Sequence, residues 1–150
     1  MRNKTNVNYL RTDYFHIDNN VTKCQLTYEI PVKGWPFFGF TINADLLIKI
    51  GNKLHMNACY IDKETNYPTS FMFTTYATAT CDNTDKYDDK LGEHIALTRA
   101  QAKAFEKTCK FYDMLQIELD KSFSEMTRII DNNWHAANKC WDHAKELGGY

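Results

Sequence analysis

The sequence predicts an α+β protein in which an antiparallel β-sheet is packed against long C-terminal helices. Residues 7–81 alternate between apolar and polar positions with the period of a β-strand. Residues 93–147 contain neither glycine nor proline, and their apolar positions recur every three or four residues, as on one face of a helix. At 150 residues the chain is the size of one ordinary domain, so we expect a single core.

The composition disfavours several classes of protein. Lysine and arginine number 18 against 19 acidic residues, and nucleic-acid binding normally requires a basic face that contacts phosphates. The five cysteines are widely spaced without a CxxC pair, which favours reduced thiols over a disulfide framework or a zinc site. No apolar run has the length of a membrane span or the form of a signal peptide, so we expect a soluble, cytoplasmic protein.

The first predicted element is a β-hairpin. Residues 7–17 and 21–30 have strand-like composition and flank Asp18, Asn19 and Asn20, which tolerate the left-handed backbone of a tight turn. The next apolar run, residues 44–52, is either a short helix capped by Asn43 or a buried strand, and we favour the helix.

Two further strands are expected over residues 54–62 and 70–81, joined by a loop of turn-forming residues. In the second strand, alternate residues fall on two faces. One face carries Phe71, Phe73, Ala77, Ala79 and Cys81, and the other is rich in threonine. Because several side chains of the first face are small, a helix can approach it closely.

The helical region is expected to form two helices, about 88–130 and 133–147. One apolar seam advances by alternating steps of four and three residues from Leu91 through Phe105, Phe123 and Met126 to Ile130. The residues at 131–133 favour a break, and a capping box at Ser122 offers another helix start. A seam of this length exceeds a compact domain, so part of it must project, break or pack on a second copy, and a homodimer through the long helix is the last of these alternatives.

Aspartates concentrate just before the helical region, where a metal loop, a catalytic carboxylate cluster and a helix start are the three alternatives. A calcium loop requires oxygen ligands at alternate positions, whereas Asp82, Asp85 and Asp88 are spaced by three. Asp88 stands at the N-cap position, and Asp85 adds negative charge near the positive end of the helix dipole. The helix start is therefore favoured.

Two residues of the first helical turns complete this prediction. Gly92 lowers helix propensity, so close packing of the backbone on the sheet is the expected compensation. Arg99 is expected either to pair with Asp85 or Asp89 across the helix start, or to lie free on the surface.

The residues from Asp85 to Ala100 follow the pattern D-x-Y-D-x3-G-x2-I-A-x2-R-A. This pattern resembles a segment of many small, mostly uncharacterised accessory proteins of tailed bacteriophages, and the resemblance covers about residues 70–108. It implies an origin in a phage or prophage and a sheet-plus-helix module sometimes likened to the double-stranded-RNA-binding fold. It implies no catalytic residues.

The C-terminal residues His135, Cys140 and His143 are the best candidates for metal ligands. Cys140 and His143 share a helical face, but His135 points well away from them, so three ligands from one straight helix do not converge. We therefore expect no metal and no cofactor. Trp134 and Trp141 instead form an apolar covering face.

Aromatic residues are the candidate partner-binding positions. Trp35, Phe37 and Phe38 lie between turn glycines. Three roles are open for them: part of the core, a stacking platform for unpaired bases, or a patch that binds a partner protein. Trp134 and Trp141 are a second candidate patch. The sequence contains no complete catalytic motif, so we do not expect an enzyme.

These observations favour a non-catalytic interaction protein of phage origin that binds and inhibits or redirects a host macromolecule, above all a host protein. A component of a defence system, in the manner of an anti-CRISPR, is one such role. An accessory nucleic-acid-binding protein of phage replication is the alternative, and a metal-dependent enzyme built on the aspartates is the third hypothesis.

Overall fold

The computed structural model describes residues 5–18, 20–32, 43–80 and 88–147. Trp35, Phe37, Phe38 and Asp85, which the sequence indicated as functional or structural, lie outside the described residues. The elements in chain order are β1 (Asn8–Asp18), β2 (Val21–Pro31), α1 (Ala44–Lys53), β3 (Ala58–Ile61), β4 (Pro68–Thr80) and α2 (Asp89–Glu146).

The four strands form one antiparallel sheet in the order β1-β2-β4-β3. The predicted hairpin is present as β1 and β2, and the register shifts near Leu10 and Ile17. Strand β3 is shorter than expected, since it begins only at Ala58. With the long C-terminal helix, this sheet confirms the α+β fold class.

The core side of the sheet follows from the alternation of residues in its two central strands. Every second residue of β2 is buried. On β4 the buried face that the sequence predicted is present up to Ala79, while the intervening threonines at 78 and 80 are exposed. The apolar residues buried on this side are Cys24, Leu26, Tyr28, Ile30, Phe71, Phe73, Ala77 and Ala79.

The short run at residues 44–53 is a helix, as favoured from the sequence. The Asn43 side chain accepts a hydrogen bond from the Asp45 backbone amide at 2.8 Å, which caps the helix start. Near its end, a Cβ atom on Gly51 would lie 2.7 Å from Met56 Sδ and 3.1 Å from the Phe71 ring. Glycine at position 51 thus lets α1 pack against β4.

Helix α2 contacts the sheet through a stripe of small residues spaced by four, which are Gly92, Ala96, Ala100, Ala104 and Thr108. Within this stripe the Thr75 hydroxyl donates a hydrogen bond of 3.0 Å to the Ala100 carbonyl, so the helix backbone lies close to β4. Phe111 continues the stripe, with its ring centroid 5.4 Å from that of Phe71.

The sheet is therefore not covered by the seam on which the helical prediction was based. Leu91, Phe105 and Cys109 of that seam are exposed. The physical reason is size, because the small side chains of the stripe let the helix backbone come within hydrogen-bonding distance of Thr75.

The predicted break at residues 131–133 is wrong, because α2 continues from Asp89 to Glu146. Polar side chains that favour helix ends instead bond to carbonyls of their own helix. The Asn133 amide donates to Ile129 O at 2.8 Å, and the Ser122 hydroxyl donates to Glu118 O at 3.2 Å. With no glycine or proline in this region, nothing interrupts the ladder of backbone bonds.

The chain divides into two compact units, Met1–Tyr112 and Asp113–Tyr150. The first, called here the sheet unit, contains the sheet, α1 and the part of α2 up to Tyr112. The second, called here the helical unit, consists of the remainder of α2 in its described part. Among the described helices, none combines the length and apolar character needed to cross a membrane.

Candidate functional site

The start of α2 is built around the Asp88 carboxylate. It accepts hydrogen bonds from the backbone amides of Lys90 at 3.0 Å and Leu91 at 3.4 Å, which otherwise lack a partner within the helix. The carbonyl of Asp88 accepts from the amide of Gly92 at 2.9 Å. The oxygens of Asp88 are thus directed at backbone amides of the helix.

Two other acidic residues of this turn face the edge strand β1. The Glu93 carboxylate lies 3.2 Å from His16 Nε2, and the Asp89 carboxylate lies 3.9 Å from His16 Nδ1. Thr22 adds a contact of 3.3 Å to the same histidine. This cluster connects β1 to the first turn of α2 within the sheet unit.

The structure places Arg99 beside strand β4, while Asp85, one of its two predicted partners, lies outside the described residues. Its guanidinium donates a hydrogen bond of 2.8 Å to the Thr78 carbonyl, and the Lys103 ammonium donates one of 2.6 Å to the Tyr76 carbonyl. The next basic residue at this spacing, Lys107, lies 5.3 Å from the centre of the Phe73 ring. Their four-residue spacing in the sequence is the signal that could have indicated this shared role.

These basic residues cover a strand edge. Strand β3 pairs only with residues 68–72 of β4, so the later residues of β4 have no described strand beside them on that side. Burial lowers the pKa of Lys107, and the neighbouring Lys110 charge lowers it further. Basic side chains along such an edge shield the sheet from pairing with another strand.

The core contains nucleophilic and acidic side chains whose chemistry is suppressed by burial. Burial raises the pKa of the Cys24 thiol, with a smaller contribution from the Asp13 charge. Burial also raises the pKa of the Tyr28 phenol, whose buried oxygen has no hydrogen-bond partner among the described atoms. Because a raised pKa reduces the reactive anion, both side chains act as packing groups.

The helical unit presents an exposed apolar surface, which we call the helix face. Its members are Leu119, Phe123, Met126, Ile130, Trp134, Ala137, Trp141 and Ala144, which share one side of α2 by their spacing. Trp134 is 68% exposed and Trp141 is 64% exposed. The structure therefore brings the two predicted tryptophans together on one side with Met126 and Ile130, which were not predicted as binding residues.

The opposite side of the helical unit is charged. Lys121 Nζ lies 3.3 Å from Glu118 Oε1, and Arg128 Nε donates to Glu125 Oε2 at 3.2 Å. Ion pairs at this spacing stabilise an exposed helix by a few tenths of a kcal/mol each. The unit is thus amphipathic, with charge on one side and exposed aromatic and aliphatic groups on the other.

The C-terminal histidines and cysteine do not assemble a metal site in the described residues, where no group of three potential ligands occurs. His143 Nδ1 instead lies 3.6 Å from the Glu146 carboxylate, and Cys140 is an exposed free thiol. The chain matches no protein-family model, no curated protein and no solved structure.

Proposed function

We propose that this chain is a non-catalytic interaction protein that acts by packing the helix face against another protein. The observation that carries the proposal is the exposure of Trp134 and Trp141 on the same side of α2 as Met126 and Ile130. An exposed apolar surface of this extent is characteristic of a protein-binding site. Tryptophan in particular contributes strongly to binding energy when a partner excludes water from it.

The resemblance to phage accessory proteins extends the proposal to the target. In this account the protein binds and inhibits or redirects a host macromolecule, in the manner of an anti-CRISPR. The balanced charge of the chain supports a protein target over a nucleic acid. The contacts of Arg99 and Lys103 with carbonyls of β4, and of Lys107 with the Phe73 ring, give the same support.

The proposal is tested by replacing both tryptophans. The Trp134→Ser, Trp141→Ser variant should no longer associate with another protein, either in the purified sample or in host lysate. The reason is that the main apolar contact is removed. Chemical crosslinking and affinity capture measure this loss. The matched control is Lys121→Ser, Arg128→Ser on the charged side of the same helix, which should associate as the wild type does.

A salt titration separates this function from nucleic-acid binding. Association through the helix face should change little between about 50 and 200 mM salt, whereas a complex with several phosphate contacts weakens by orders of magnitude over that range. A wild-type chain that remains monomeric and captures no protein would contradict the proposal. So would association that disappears on raising the salt concentration.

A further inference from the structure

We infer that the helix face binds the helix face of a second copy of this chain, with the two helices antiparallel. This inference rests on the proposed function, because it names the protein that the face contacts. Three features of residues 119–144 carry it: the area of the exposed surface, the gradient of side-chain size along the helix, and the distribution of charge.

The exposed area approaches what a stable dimer needs. Residues 119–144 span roughly 39 Å of helix at about 1.5 Å per residue. The large apolar side chains that are about half exposed or more in this span are Phe123, Met126, Ile129, Ile130, Trp134 and Trp141. At on the order of 100 Å² each, they supply roughly 600 Å² per chain, and the flanking side chains bring this near the ~800 Å² per partner of a standard interface.

Side-chain size changes along the central line of the face. This line consists of two series of positions spaced by seven residues, one through Phe123 and one through Met126. Its residues are large at the N-terminal end and small or short toward the C-terminal end. The N-terminal positions are Leu119, Phe123, Met126 and Ile130, and the C-terminal positions are Asn133, Ala137, Cys140 and Ala144. The two tryptophans lie immediately beside this line, at positions 134 and 141.

An antiparallel pair places a large residue against a small one in every layer. The layers are Leu119 with Ala144, Phe123 with Cys140, Met126 with Ala137, and Ile130 with Asn133, each formed twice by the twofold symmetry. A parallel pair would stack large on large at one end and small on small at the other, which leaves the helices either forced apart or underpacked. The antiparallel pair is therefore favoured, because its layers are similar in size and keep the distance between the two helices uniform.

The flanking positions follow the same rule. In the antiparallel pair Trp134 lies across from Thr127 of the second copy, and Ile129 lies across from Ala136 of the second copy. Near the twofold axis the two Asn133 side chains come close to each other. A single polar residue at such a position fixes the register and orientation of paired helices.

Charge gives independent support for the orientation. Residues 118–131 carry four acidic and two basic side chains, a net charge of −2, whereas residues 132–146 carry two of each. A parallel pair would place the two 118–131 stretches, each of net charge −2, side by side. An antiparallel pair places each of them beside the neutral 132–146 stretch of the other copy. The helix face itself has no charged member, so the four central layers bury no charge.

The oligomeric state tests the identity of the partner. Purified wild-type chain should sediment as a dimer, and the Ile130→Glu variant should sediment as a monomer because a carboxylate enters the centre of the face. The Arg128→Glu variant, changed on the opposite side, should remain a dimer. Unchanged circular dichroism of the strands and an unchanged unfolding transition of the sheet unit would show that Ile130→Glu still folds.

Cysteine crosslinking tests the orientation. A background with Cys59→Ser, Cys81→Ser and Cys109→Ser leaves the buried Cys24 and the exposed Cys140. With Cys140 as its one exposed thiol, this variant should give no disulfide-linked dimer under mild oxidation. Adding Phe123→Cys should give a covalent dimer in high yield, because positions 123 and 140 of the two copies face each other. Crosslinking through Cys140 alone would indicate a parallel pair and overturn the orientation.

A wild-type chain that is monomeric at every concentration would overturn the inference. If that monomer still captured another protein through Trp134 and Trp141, the proposed function would stand while the second copy would be excluded as the partner. If it captured none, both would fail.

Discussion

The two parts of helix α2 use opposite kinds of surface. In the sheet unit the helix buries glycine, alanine and threonine, so that its backbone approaches β4 closely enough for Thr75 to bond the Ala100 carbonyl at 3.0 Å. In the helical unit the same helix exposes tryptophan, methionine and isoleucine on its apolar side. Small residues thus pack within the chain, whereas the large apolar residues of the helical unit are exposed.

The comparison teaches that hydrophobicity alone does not indicate which helix face is buried. Leu91 and Phe105 are more apolar than Ala96 and Ala104, yet the alanines are completely buried and the larger residues are exposed. Close approach adds weak contacts between the helix backbone and β4, together with the Thr75 bond to the Ala100 carbonyl, which compensates for the small area of each alanine.

The largest expected effect comes from a matched pair of phenylalanines. Phe111 is 0% exposed and Phe123 is 48% exposed. Phe111→Ala should lower the free energy of unfolding of the sheet unit by about 3–5 kcal/mol, because it leaves a cavity beside Phe71 and Phe73. Phe123→Ala should change it by less than about 0.5 kcal/mol.

Urea denaturation of both variants, followed by circular dichroism at a concentration where the chain is monomeric, measures this difference. The order of the two effects should reverse for dimer association, which Phe123→Ala should weaken more than Phe111→Ala does. Equal losses of folding free energy in the two variants would show that the two parts of α2 do not differ as described.

A smaller difference in unfolding free energy should appear when an alanine is enlarged on the buried side of the helix and, as a control, on its exposed side. Ala100→Leu should destabilise the sheet unit by about 1–3 kcal/mol, because the added atoms separate α2 from β4 and break the Thr75 bond. Ala102→Leu, on the exposed side, should leave the unfolding free energy nearly unchanged, since leucine is almost as good a helix former as alanine. Thermal and urea unfolding report both. Tolerance of leucine at position 100 would argue against close approach.

The smallest effect concerns the first turn of the helix. Asp88→Ala should cost about 1 kcal/mol of unfolding free energy, because the amides of Lys90 and Leu91 lose their acceptor. Asp88→Asn should retain most of this stability, since the asparagine oxygen caps equally well. If Asp88→Asn lost as much as Asp88→Ala, the charge itself would matter, and cation binding would have to be tested by metal analysis.

The sequence allowed good prediction of features that depend on local spacing. The hairpin, the alternation of β4 and the cap at Asn43 follow from two-residue periodicity or from one side chain and its nearest amides. Trp134 and Trp141 were recognised as a possible binding pair because their seven-residue separation alone places them on one side of a helix.

Features that depend on distant residues were not predicted. Arg99 donates to a carbonyl of β4, a contact that no residue near the helix start could indicate. The break at residues 131–133 was expected because asparagine favours helix ends, but here the Asn133 amide bonds within the helix. Close packing was predicted at Gly92, but the sequence analysis did not extend it to Ala96, Ala100 and Ala104, since small residues contribute little to an apolar pattern.

The sequence by itself determined the two periodicities, and with them an antiparallel sheet followed by a long amphipathic helix. The tertiary structure decided which side of that helix meets the sheet and which carries the exposed tryptophans. The physical reason is that periodicity reports the direction of each side chain around its own element, whereas burial depends on how closely two elements can approach.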